Sequence, residues 1–158
     1  VHQREAGRRP VRHGDRRAEV LGLSIHNAMG AQITEIDVPA PLVVRVQVRG
    51  NQPIHQPIIG VLLRTTDGIE LAGANTAGAN LPVMPLAPNE LRTLNFHFDL
   101  PELHPGDYML VPAIVDGDLG EFSVCDIVQN AAALRVNTGP RTVTGYLRFP
   151  CEISVTRA

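Results

Sequence analysis

The chain has 158 residues, 44% of them apolar, with a formal net charge of −2 and a pI near 6.3. That length suits one domain with one core, and the near-neutral charge gives no electrostatic basis for gripping nucleic acid or an anionic membrane. No apolar run approaches the ~20 residues a bilayer span needs, and two cysteines, Cys125 and Cys151, are too few for a disulfide-framed secreted scaffold, so a reducing, cytoplasmic setting is expected.

Residues 1–17 hold six arginines and almost no large apolar side chains. They cannot bury enough surface to offset their ordering entropy and are read as a linker. Together with the start at Val1, they suggest a piece of a longer polypeptide. From Ala18 the hydrophobic period becomes two. Leu21, Leu23 and Ile25 alternate with Gly22 and Ser24, predicting a strand over 18–26. Over 42–49 the alternation is stricter, with Leu42, Val44, Val46 and Val48 on one face and Arg45, Gln47 and Arg49 on the other.

Residues 58–65 and 69–76 read as a hairpin across Thr66-Asp67-Gly68, because glycine accepts the positive φ that such a turn demands. Over 92–99, Leu94, Phe96 and Phe98 are predicted inward, and Thr93, Asn95, His97 and Asp99 outward. Residues 58–63 and 107–116 are apolar at both parities, as in strands covered on both faces. Residues 127–134 suit a turn of helix, yet 131–136 suits a strand equally well. A terminal strand is expected near 143–155. Proline and glycine punctuate the gaps, so the expected fold is an all-β antiparallel sandwich over 18–158.

Candidate binding groups follow from this layout. Asn75 and Thr76, ending a hairpin strand, offer an amide and a hydroxyl that suit sugar hydroxyls and equally suit capping of a turn. Arg64 and Asp67 flank the hairpin turn. Arg45, Gln47, Asn95 and His97 would line a polar groove if their strands are neighbours, or else a solvated sheet face. Tyr146 and Arg148 lie on the terminal segment, where an aromatic ring and a guanidinium could reach a shared cleft. No catalytic residues emerge. The six histidines lack an i, i+4 pair, Asp116, Asp118 and Glu121 lack calcium-loop spacing, and there is no phosphate loop with its lysine. No metal and no cofactor are expected.

Taken in order, Arg12-His13-Gly14-Asp15, Ala18-Glu19-Val20, Pro41-Leu42-Val43-Val44-Arg45-Val46, Gly73-Ala74-Asn75-Thr76, Leu103-His104-Pro105-Gly106-Asp107-Tyr108 and Asp116-Gly117 resemble one family. It is the C-terminal domain of Wzt, the nucleotide-binding component of ABC transporters that export lipid-linked O-antigen polysaccharide. The similarity runs from about Arg12 to Val136, and Gly145-Tyr146-Leu147-Arg148-Phe149-Pro150 resembles the usual close of such domains.

The resemblance implies an immunoglobulin-like sandwich that recognises the finished polysaccharide without catalysis. It implies a homodimer that exchanges its final strands, an ATPase domain N-terminal to this one, and a membrane transporter subunit as further partner at the inner face of the cytoplasmic membrane. The competing reading is a structural dimerisation module of the ATPase that touches no glycan. One departure stands out. Sugar-binding sandwiches use aromatic platforms, and this chain has no Trp and only two tyrosines, Tyr108 and Tyr146.

Overall fold

A computed structural model of the chain describes residues 11–138 and 142–157. Ten strands run in order: β1 (Val11–His13), β2 (Ala18–His26), β3 (Glu35–Val38), β4 (Ala40–Gly50), β5 (Pro57–Thr65), β6 (Glu70–Asn75), β7 (Leu91–Leu100), β8 (Gly106–Gly117), β9 (Phe122–Gln129) and β10 (Ala132–Thr138). Two sheets face each other. The smaller is β2-β4-β7, antiparallel throughout. The larger is organised around β8, which pairs along one side with β5 and along the other with β9 and then β10. Beyond these, β6 flanks β5, β1 flanks β9, and β3 runs parallel to β10.

The alternation over 42–49 is realised. Leu42, Val44, Val46 and Val48 are buried against the larger sheet, while Arg45 and Gln47 face solvent. β7 likewise turns Leu94, Phe96 and Phe98 partly inward. In β2 the phase is broken. A bulge between Val20 and Gly22 shifts the register, so Ala18, Val20, Leu23 and Ile25 are buried and Leu21 is not aligned with them.

On β5 and β8, both parities are indeed buried. Ile59, Val61, Tyr108, Leu110 and Ile114 join the core between the sheets. On the outer face Leu62 stands opposite Val111 and Ile58 opposite Val115, and Ile58, Met109 and Val111 are buried there.

One expectation is corrected, and two strands, β3 and β9, are added to those expected. Residues 11–17 are part of the fold rather than linker, since β1 pairs with β9 and Arg12 and Arg17 reach carboxylates of the larger sheet; residues 1–10 lie outside the described residues. Of the two readings open over 127–136 the strand is the one formed: the end of β9, a turn at Asn130 with φ 56°, and the start of β10. Asn tolerates that left-handed conformation better than most residues. β3 is an additional strand, with Ile36 and Val38 buried.

Residues 143–155 form no ladder within one protomer; the terminal strand expected there is one paired with a second copy. The segment's ordered contact is a single bridge between Leu103 and Leu147, flanked by His104 N–H to Tyr146 C=O (2.7 Å) and Arg148 N–H to Glu102 C=O (2.8 Å). Beyond Arg148 the chain is exposed, with Phe149 at 77%, Ile153 at 85% and Val155 at 84%. The segment has strand periodicity but no ladder to complete it.

Candidate functional site

The sites expected from sequence fall in separate places. Arg45, Gln47, Asn95 and His97 do come together, because β4 and β7 are neighbours, with Arg45 opposite Asn95 and donating to it at 3.0 Å. They form an exposed sheet face. Asn75 and Thr76 serve the backbone: the Asn75 side-chain oxygen accepts from Gly78 N–H (2.7 Å) and the Thr76 hydroxyl from Ile59 N–H (3.2 Å). Each side chain thus accepts one backbone N–H, Asn75 within its turn and Thr76 from β5. Arg64 donates to Asn130 (2.9 Å), and Asp67 accepts from the Thr65 hydroxyl inside the hairpin turn. Arg148 is paired with Glu102 at 3.0 Å. Asp116 and Asp118 are likewise engaged, the first by Arg17 and Gln56 N–H, the second by Gly120 and Glu121 N–H.

Tyr146 lines a substantial cleft. A cavity of about 470 Å³ lies at one end of the sandwich, walled by Thr65 and Thr66, by the run from His104 to Tyr108, and by Gly145 and Tyr146. Small-ligand pockets commonly span about 300–1,000 Å³. Three chain segments meet here for a topological reason: β5 pairs with β8 so that Thr65 lies opposite Tyr108, which brings the β5–β6 turn beside the β7–β8 connection. The docked part of the terminal segment then closes the third side through Tyr146 C=O and Leu147.

Local chemistry holds each wall. The Tyr108 hydroxyl donates to His104 C=O at 2.6 Å, four residues upstream, which fixes the connection into β8 in the manner of the tyrosine corner of immunoglobulin-like sandwiches. Burial pushes the Tyr108 phenol above its usual range, with Tyr146 nearby adding to the shift. His104 Nδ1 lies 2.9 Å from Pro105 C=O, an acceptor, so in the neutral imidazole Nδ1 carries the hydrogen and Nε2 the lone pair. Asp107 pairs with Arg135 on β10 at 2.9 Å. Tyr146 is 42% exposed, leaving much of its ring open to a ligand.

His104, Asp107, Thr65 and Thr66 were not among the residues singled out from sequence as binding groups. Their signal lay in the Leu103–Tyr108 run, which sequence alone reads as turn punctuation. Pairing of β5 with β8, a contact between distant segments, is what converts that turn into a wall.

Such a molecule is an immunoglobulin-like β-sandwich with a polar cleft at one end. Its sequence matches the model of the Wzt C-terminal domain over residues 9–149, and the chain belongs to that family, a domain of O-antigen ABC transporters. The fold agrees. A crystal structure of the C-terminal domain of wzt superposes with a TM-score of 0.81 at 19% identity, covering 93% of this chain and 89% of that one. A CARDB domain of the PF1109 protein from Pyrococcus furiosus, solved in complex with di-metal ions, is more distant, with a TM-score of 0.44 and 12% identity over 76% of this chain and 89% of that one. None of the curated proteins matches the sequence. Among the described residues, no helix is long and apolar enough to cross a membrane.

Proposed function

We propose that this domain recognises a lipid-linked O-antigen-type polysaccharide, without chemical change to it, as the substrate-specificity domain of an ABC transporter ATPase at the cytoplasmic face of the membrane. The observation that carries the reading is the end cleft, in a chain of this family, where a half-exposed Tyr146 ring stands beside the polar groups of Thr66, His104 and Asp107. An aromatic face packs on the C–H face of a pyranose while neighbouring polar groups bond its hydroxyls. Each site should bind weakly, since sugar hydroxyls exchange water for protein partners at small net gain.

A homodimer would raise avidity by presenting two clefts. Phe149, Cys151, Ile153 and Val155 alternate with polar residues beyond Arg148, and the three large apolar side chains of that row are almost fully exposed in one protomer. That favours exchange of residues 149–157 with a second copy. It also supports a second reading, in which the domain only holds two ATPases together.

Calorimetric titration with polysaccharide from the producing cell separates the two. Saturable binding that weakens about ten-fold in Tyr146→Ala supports recognition at the cleft, while no heat from a dimeric protein leaves the dimerisation reading. Truncation after Arg148 should give the mass of one chain by light scattering. A truncated chain that stays dimeric would sink the exchange.

A further inference from the structure

We propose that the cleft selects uncharged or amine-bearing sugars and excludes acidic ones; the inference rests on the glycan-recognition reading above. Its basis is where the protons of the cleft already go. The Tyr108 hydroxyl gives its proton to His104 C=O, and the Thr65 hydroxyl gives its proton to Asp67 while accepting from Ile69 N–H. The His104 Nδ1 hydrogen points at Pro105 C=O, leaving Nε2 as an acceptor. Asp107 accepts only. Among the described lining side chains, the hydroxyls of Thr66 and Tyr146 remain as donors, and no arginine lines the cleft in a chain that contains no lysine.

Among the described residues, the cations near this end are matched. Arg135 on β10 is held by Asp107 and Arg148 by Glu102, both near 3 Å. On the described side-chain walls a ligand therefore meets lone pairs and a carboxylate, with the Thr66 and Tyr146 hydroxyls as the donors. Sugar hydroxyls and ammonium groups supply the hydrogens that this wall lacks. A uronic acid or a sugar phosphate would set its charge against Asp107 without a cation lining the wall to offset its desolvation. Discrimination by a repulsive group of this kind acts against the wrong ligand rather than for the right one.

Backbone amide shifts of the whole 158-residue chain, followed by NMR, test this with three probes that differ in charge: methyl glucoside, glucosamine and glucuronate at equal millimolar concentrations. Methyl glucoside and glucosamine should shift the amides of Thr66, His104 and Tyr146 saturably, and glucuronate should need at least about ten-fold more. Asp107→Asn, which keeps the shape and removes the charge, should narrow that gap, read as the ratio of the glucuronate to the methyl glucoside midpoint whatever happens to either alone. Equal or tighter binding of glucuronate overturns the proposal, as does unchanged discrimination in Asp107→Asn. Shifts confined to the Arg45–Asn95 face overturn it while leaving glycan recognition intact. Silence from all three probes overturns it too, and recognition itself falls only if the cell's own polysaccharide also fails to bind.

Discussion

Asp126 is the residue whose replacement tests the tertiary argument most directly. It sits on β9 with its side chain fully buried. One carboxylate oxygen takes Val20 N–H at 2.8 Å and also Arg12 Nη2, while the other takes Arg12 Nε at 3.4 Å and lies 3.5 Å from Arg16. Arg12 in turn donates to Val20 C=O at 2.7 Å. Val20 lies at the bulge of β2, an edge strand of the smaller sheet, so Asp126 and Arg12 bind both of its backbone polar groups and fasten that edge to the larger sheet.

Asp126→Ala removes the charge partner of Arg12 and leaves a buried N–H without an acceptor. Breaking a buried ion pair from one side costs about 3–5 kcal/mol, and an orphaned buried donor about 1–3 kcal/mol. Arg12 is 30% exposed and can recover water, so the lower end, about 3 kcal/mol, is expected. That is a large share of a typical stability of ~5–15 kcal/mol. Asp126→Asn keeps an acceptor for Val20 N–H and should cost roughly half as much. The measurement is the urea midpoint of the whole chain at fixed concentration and unchanged slope, with Arg12→Ala completing a double-mutant cycle whose coupling should exceed about 1 kcal/mol. A loss below about 1 kcal/mol in Asp126→Ala would refute the clamp.

Cys125 is buried, and burial pushes its thiol up from 9.0 to about 11, with Arg17 opposing the shift. Because the folded value is raised, the contribution is fully present below pH 9 and is lost as pH climbs toward 11, roughly 2–3 kcal/mol in all. Melting temperatures across that range should fall less steeply in Cys125→Ala, and a thiol reagent at neutral pH should spare Cys125 until the chain unfolds. Labelling of Cys125 in the native chain would contradict this burial. Gly14 has φ +130°, and a Cβ there would fall 2.2 Å from Cys125 C=O, so Gly14→Ala should cost at least about 2 kcal/mol. At Gly68, φ is +98° but the nearest atom to an added Cβ is 3.9 Å away on the flexible Arg64 side chain; Gly68→Ala should cost only about 1 kcal/mol in chemical denaturation.

The binding surface was less legible than the strands. Arg45, Gln47, Asn95 and His97 were correctly assigned to one polar face, because alternation tells which residues share a side. Alternation does not tell whether that face is concave. Asn75 and Thr76 carry the same donors and acceptors whether they bond the backbone or hold a sugar, and here each accepts a backbone N–H.

What the sequence by itself determined is the set of strands whose pattern is local: the strict alternation of β4 and β7, the Asp67-Gly68 turn joining β5 to β6, and the doubly apolar β5 and β8. A period of two and a glycine at positive φ act within a few residues and need no partner to be read. Only the tertiary structure decided the rest. β1 looks too polar for a strand until Arg12 and Asp126 neutralise each other between the sheets, and β3 is stabilised by lying parallel to a segment roughly a hundred residues away. Tyr146, His104 and Asp107 share one cleft because β8 pairs with β5, and the terminal segment stays unpaired past Arg148 because its apolar row finds no ladder in its own protomer.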